Sequence, residues 1–184
     1  MHALRLAVIV SLVLTIAAER AEARPQWSAQ GQLGVVGVGE SDGAWRRTKL
    51  DLGLKVEDLW LRESPNDFGI GPYVEMRTAA FRYGEYGAGV VALIPTSMTY
   101  PLWLGGGTFA HREAGSFSGG GNAFVAWGAR DFNYHSSYAM AFGLLVDARV
   151  HRGDTPGFDV VLAATIDLEA LALPWIYLLS AVTH

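Results

Sequence analysis

The 184-residue chain has no cysteine. That absence removes a disulfide framework, a cysteine nucleophile and every thiolate metal site. Charge is scarce as well: Asp, Glu, Lys and Arg make up 17% of the residues, and Lys plus Arg number only 14. A net charge of −4 and a sequence pI near 5.7 leave no basic footprint for nucleic acid. Long apolar runs are missing too. A membrane helix takes about 20 apolar residues, and the best stretch after the N-terminal segment, 170–182, is interrupted by Pro174. Yet 51% of the residues are hydrophobic and the mean hydropathy is +0.21, apolar for a water-soluble domain. The apolar content must therefore be dispersed along the chain.

The N-terminal segment is the one place where it is concentrated. Arg5 gives a positive start, residues 6–18 are apolar, and Ala21-Glu22-Ala23 supplies a small-x-small cleavage pattern. The apolar run is too short to span a bilayer and reads as a secretory signal over residues 1–23. Residues 24–184 then form the exported domain, in a bacterium with two membranes.

From there the sequence alternates. Lys49, Asp51, Gly53, Lys55 and Glu57 share one parity, while Leu50, Leu52, Leu54, Val56 and Trp60 share the other. In a strand these parities are opposite faces; in a helix the charges would scatter around the cylinder. Tyr73, Glu75 and Arg77 oppose Val74 and Met76, and Asn122, Phe124 and Arg130 oppose Val125 and Trp127. Asp147 and Arg149 oppose Leu144 and Val146, and Asp159, Thr165, Asp167 and Glu169 oppose Val160, Leu162 and Leu168. The pattern predicts eight strands, at 28–39, 47–61, 68–81, 84–95, 98–111, 119–131, 134–150 and 157–173. The glycine triplets 105–107 and 119–121 are expected to mark bulges or tight bends.

A soluble barrel or sandwich hides its apolar face, whereas a membrane barrel turns that face to lipid. Small residues on the polar face, including Gly53, Gly87, Gly89 and Gly128, suit the crowded interior of an eight-stranded barrel. The charges on that face are of both signs. Lys55, Glu57, Glu75, Arg77, Arg130, Asp147, Arg149, Asp167 and Glu169 are expected to pair as a network in the lumen, because unpaired buried charge is costly. Trp27, Trp60, Tyr100, Tyr134, Tyr138 and Trp175 sit near the ends of the apolar faces, where interfacial belts belong. The fold class expected is all-β, an eight-stranded antiparallel up-and-down transmembrane β-barrel with a short C-terminal tail.

In this pattern the chain resembles small outer-membrane barrels of the OmpA/OmpX type. The resemblance implies an outer-membrane protein in contact with membrane lipid and lipopolysaccharide, with no cofactor and with an envelope-structural or surface-interaction role. Connections 39–46, 111–118 and 151–156 are longer and polar, and are expected outside the cell as candidate partner-binding loops. Eight strands are too few for a wide pore.

One motif points to enzyme chemistry instead. His135 and Ser137 are spaced for one strand face, with Asp147 on the same parity, and histidine can activate serine. The His-x-Ser pair is similar to the motif of outer-membrane lipid A deacylases, which implies a lipid A-modifying hydrolase, although Tyr138 stands where that family has asparagine. A third reading keeps the barrel and reverses the faces, giving a secreted lipocalin-like binder. No two histidines have a close metal-ligand spacing, so no metal site is expected.

Overall fold

The structure is a computed structural model that describes residues 25–40, 43–113, 115–152 and 157–183; the signal expected at 1–23 lies outside them. Eight strands follow in order: β1 (Gln26–Glu40), β2 (Gly43–Leu59), β3 (Gly69–Ala79), β4 (Tyr83–Ile94), β5 (Leu102–Glu113), β6 (Ser116–Arg130), β7 (Ala141–Arg152) and β8 (Gly157–Asp167). One helix, α1 (Leu168–Thr183), follows β8. Each strand pairs antiparallel with the next, and β8 closes on β1. This is the up-and-down barrel that the alternation predicts.

The registers fix its geometry. Starting at Ser28, the ladder passes through Glu57, Tyr73, Gly89, Gly107, Asn122, Arg149 and Asp159, and returns to β1 at Val38. The return point lies ten residues along β1 from the start. With strands about 4.8 Å apart and a rise of about 3.3 Å per residue, that stagger tilts the strands by about 40°. Strand lengths of 11 to 17 residues reach or exceed the 9–11 of a tilted membrane strand.

Parity then sorts the side chains. Gln30, Gln32, Asp51, Lys55, Glu57, Glu75, Arg77, Glu85, Asp147 and Arg149 are buried inside, while Leu33, Val74, Met76, Val90, Val125, Val146 and Leu162 face out and are exposed. Leu144, a large apolar side chain, is 64% exposed. Trp27, Trp60, Tyr100, Trp127, Tyr134 and Trp175 are exposed around the rim that carries the termini. Among the described residues no helix is long and apolar enough to cross a membrane.

Inside, bulky and minimal residues interlock. The Tyr73 and Phe124 rings meet edge to face at 5.4 Å, and the next two strands in the ladder from Tyr73, β4 and β5, carry Gly89 and Gly107. A Cβ on either glycine would come within 2.7 Å of Tyr73. The triplets 105–107 and 119–121 therefore clear space for inward rings. They do not mark bulges: the β4–β5 and β5–β6 ladders keep register through them, and the β1–β2 ladder shifts instead between Val38 and Glu40.

The ends depart from the sequence pattern in three ways. First, most of the expected loop 39–46 is strand, since Glu40 pairs with Gly43, and most of 111–118 is strand, since Glu113 pairs with Ser116. Of 151–156, His151 and Arg152 belong to β7, and the remainder lies outside the described residues. The longer connections are 60–68, 95–101 and 131–140, all on the terminus-bearing rim, so loop length runs opposite to the sequence expectation. Second, β7 begins at Ala141, not at 134. Segment 137–139 nevertheless runs beside β1: Trp27 N–H donates to Ser137 O at 2.8 Å, and Ala139 N–H donates to Trp27 O at 2.9 Å. It covers the edge of β1 left open once β8 has ended, and unpaired backbone is what a barrel must avoid. Third, β8 stops at Asp167 and α1 takes the expected last turns of strand. Asp167 caps the helix, accepting from Glu169 N–H at 2.8 Å and Ala170 N–H at 3.4 Å. Pro174 lies inside α1.

The outward face generates a test. Leu144→Arg should lower folding stability in lipid vesicles by about 2–4 kcal/mol, the cost of an arginine near the bilayer midplane. Urea titration of vesicle-inserted protein reads this directly, and an unchanged midpoint would contradict a lipid-facing Leu144.

Candidate functional site

The lumen holds two charge clusters separated by the Tyr73–Phe124 layer. Nearer the termini, Lys55 Nζ forms an ion pair with Glu57 Oε2 at 3.0 Å, and Arg130 donates to Glu57 Oε1 in a short contact. Gln30 Nε2 donates to it at 3.2 Å and the Ser28 hydroxyl at 3.4 Å. Lys55 also stands 4.5 Å from the centre of the Phe124 ring. Arg130 donates to Gln26 O, and Arg62 reaches the Gln26 side chain at 3.4 Å. Arg62, in the connection 60–68, is buried against the Phe132 ring. Burial, aided by the Arg130 charge, pulls its guanidinium down to about 10.

Nearer the other rim the cluster is larger. Arg77 sits between Asp51, in a short contact, and Asp147 at 2.8 Å. Arg149 reaches Asp147 at 2.7 Å, Glu75 at 2.8 Å and Glu85 at 3.0 Å, with the Phe109 ring 4.4 Å away. Asn122 links the layers, accepting from the Tyr73 hydroxyl at 3.0 Å and donating to Asp147 at 3.4 Å. Above them His111 Nδ1 lies 3.0 Å from Glu85, and His151 Nε2 lies 3.1 Å from Asp159.

Of the nine charges expected in the lumen, the structure brings Lys55, Glu57 and Arg130 into one group and Glu75, Arg77, Asp147 and Arg149 into the other. Asp167 instead turns the chain into α1. It also accepts from the Tyr138 hydroxyl at 2.5 Å; burial, then Asp167, pushes that phenol up to about 12. Glu169 is exposed in the first turn of α1, outside the lumen, because the strand ends before it.

His135, Ser137 and Asp147 are not assembled. His135 and Ser137 are exposed in the coil 131–140, where the expected strand face does not exist, while Asp147 is held inside β7 by two arginines. Sequence reasoning missed Glu85, His111, His151 and Asp159 as a group. Their strands are far apart in sequence, and 84–95 shows weak alternation because glycine occupies Gly87 and Gly89.

A groove of ≈ 640 Å³ opens on the outer wall near the hairpin rim. Leu52, Leu54, Met76 and Tyr86 line its apolar part, and Arg82 and Arg112 lie at its rim end. The register places Arg112 two residues nearer that rim than Ala110, the partner of Tyr86. Just above, Ala80 and Phe81 both have positive φ, 50° and 57°, in a turn closed by Arg82 N–H to Ala79 O. Positive φ at both central residues is the type I′ geometry that usually takes Asn-Gly, so two L-residues are strained here. The Phe81 side chain is 77% exposed.

No protein-family model matches the chain, and no curated protein matches it. Among solved structures it is similar to Ail, the attachment invasion locus protein of Yersinia pestis, solved in complex with the heparin analogue sucrose octasulfate. The identity is 11%, coverage is 78% of this chain and 98% of that one, and the TM-score is 0.42. It is also similar to Neisserial surface protein A, at 13% identity over 77% of this chain and 95% of that one, with a TM-score of 0.46.

The pairing within the larger cluster can be tested by removing one sign of charge. Arg77→Leu should cost about 3–5 kcal/mol, since it removes the guanidinium that pairs with Asp51 and one of the two that pair with Asp147. Adding Asp51→Asn and Asp147→Asn should recover much of that loss in the urea midpoint; a triple variant no better than the single one would contradict the pairing.

Proposed function

We propose that the chain is an integral outer-membrane protein with an envelope-structural role, a filled barrel rather than a conduit. The observation that carries this is the division of its surfaces: exposed aliphatic side chains around the wall, and paired charge with interlocked rings inside. A soluble binder would place these faces the other way round. Both termini face the periplasm in this reading. The rim that crosses the membrane during insertion is then the hairpin rim, whose connections are shorter than those on the terminus-bearing rim.

The partners that the outer wall fits are membrane lipids, and at the hairpin rim a phosphorylated lipid such as lipopolysaccharide. The groove offers acyl chains an apolar wall below and two guanidiniums at headgroup height. Arginine suits phosphate because its fork bonds two oxygens at once. The strained turn supports an interaction role for this rim: Ala80-Phe81 costs folding energy where Asn-Gly would not, and it holds an aromatic ring out beside Arg82.

Two measurements test this reading. In planar bilayers the folded protein should give no sustained ion conductance, and a steady open channel would overturn the filled lumen. Protein purified from outer membranes should retain less phosphorylated lipid when Arg82→Ala and Arg112→Ala are combined, with folding unchanged. Equal retention would remove the lipid headgroup from the proposal.

A further inference from the structure

At the hairpin-rim mouth of the lumen, three strands converge on one carboxylate oxygen. Glu85 on β4 and His111 on β5 are direct cross-strand partners. His151 on β7 comes from the far side of β6, where Gly120 is its partner. Gly120 clears space on β6 for the Phe109 ring; the His151 ring packs on Phe109 at 5.1 Å and meets the His111 ring with centres 5.0 Å apart. Glu85 Oε1 lies 3.0 Å from His111 Nδ1 and 3.8 Å from His151 Nδ1. The ligand atoms of Glu85, His111 and His151 all fall within 4.8 Å of one another.

We propose that these three residues form a binding site for a divalent ion of the zinc class. Two imidazole nitrogens and one carboxylate oxygen make a recognised zinc set that leaves the fourth tetrahedral position open. Bonds of about 2.0–2.2 Å place tetrahedral ligand atoms roughly 3.3 Å apart, so closing the set requires a contraction of only the wider pairs. Both histidines lie at the mouth with side chains 13% exposed, which gives the ion an entry path and a water for the open position.

The surroundings are those a metal site needs. His151 bonds through its other nitrogen, Nε2, to Asp159 at 3.1 Å, the carboxylate–histidine arrangement that fixes the ring and raises its basicity. Arg149 Nε lies 3.0 Å from the second oxygen of Glu85, an ion pair, and Oε1 is the oxygen nearest both histidines. Charge points the same way. Among the described residues of this half of the lumen, Asp51, Glu75, Glu85, Asp147 and Asp159 outnumber Arg77, Arg149 and Lys49, which lies over the Tyr83 ring. A dication between Glu85 and the histidines offsets that excess.

The test is calorimetric titration of the folded, untagged protein in detergent micelles with zinc chloride near pH 7.5. One ion per chain is expected, with affinity falling as the imidazoles protonate toward pH 5.5. Combining His111→Gln with His151→Gln should abolish that binding, and Asp159→Asn should weaken it about 10–100-fold. A boiling-dependent gel shift in every variant establishes that the barrel has folded, so loss of metal is separable from loss of the barrel. No uptake by folded wild-type protein, or equal uptake by the double histidine variant, would overturn the site. Unchanged affinity in Asp159→Asn would overturn the role given to that carboxylate.

Discussion

Arg149 reaches carboxylates on β3, β4 and β7 with a single guanidinium, and Arg77 joins β2 to β7 across the lumen. These ties meet the constraint on which the rest of the molecule depends. A closed barrel with an apolar wall has to place the strand-borne charge at membrane depth inside, and charge there is tolerable only when paired and hydrogen-bonded. Each inward charge therefore needs an opposite partner, from another strand or two residues along its own. The mixed signs along single strands, such as Glu75 beside Arg77 and Asp147 beside Arg149, follow from that requirement.

The same enclosure accounts for the glycine-rich polar face. Eight strands with this stagger leave an interior only wide enough for side chains, so large inward residues must meet small ones. Tyr73 against Gly89 and Gly107 is the clearest case, and Gly120 does the same for the Phe109 ring. Packing and electrostatics are thus one problem. The glycines fix where rings fit, and the rings separate the two charge clusters.

Much of this was legible in the sequence because a strand has an exact two-residue period. Parity alone placed Lys55, Glu57, Glu75, Arg77, Arg130, Asp147 and Arg149 inside, and Leu144 and Trp127 outside. Parity cannot say where a strand stops. The coil segment 137–139 runs beside β1 without being part of β7, which drew His135 and Ser137 into a strand that begins only at Ala141. The C-terminal boundary was signalled by Asp167 followed by Glu169, a helix-start pattern, but Pro174 masked the helix. The mouth cluster was hidden for a different reason. Glu85, His111, His151 and Asp159 come from four strands, and only the register brings them together.

The central claim is that the apolar wall faces lipid and the charges are sealed within a closed barrel. Gel mobility of the detergent-extracted membrane fraction, with and without boiling, tests it most directly. A closed barrel held by its continuous ladder and lumen ion pairs should resist detergent unheated and shift in mobility on boiling. Identical mobility in both samples, with the protein recovered in the soluble fraction without detergent, would contradict the assignment of faces and turn the apolar side inward.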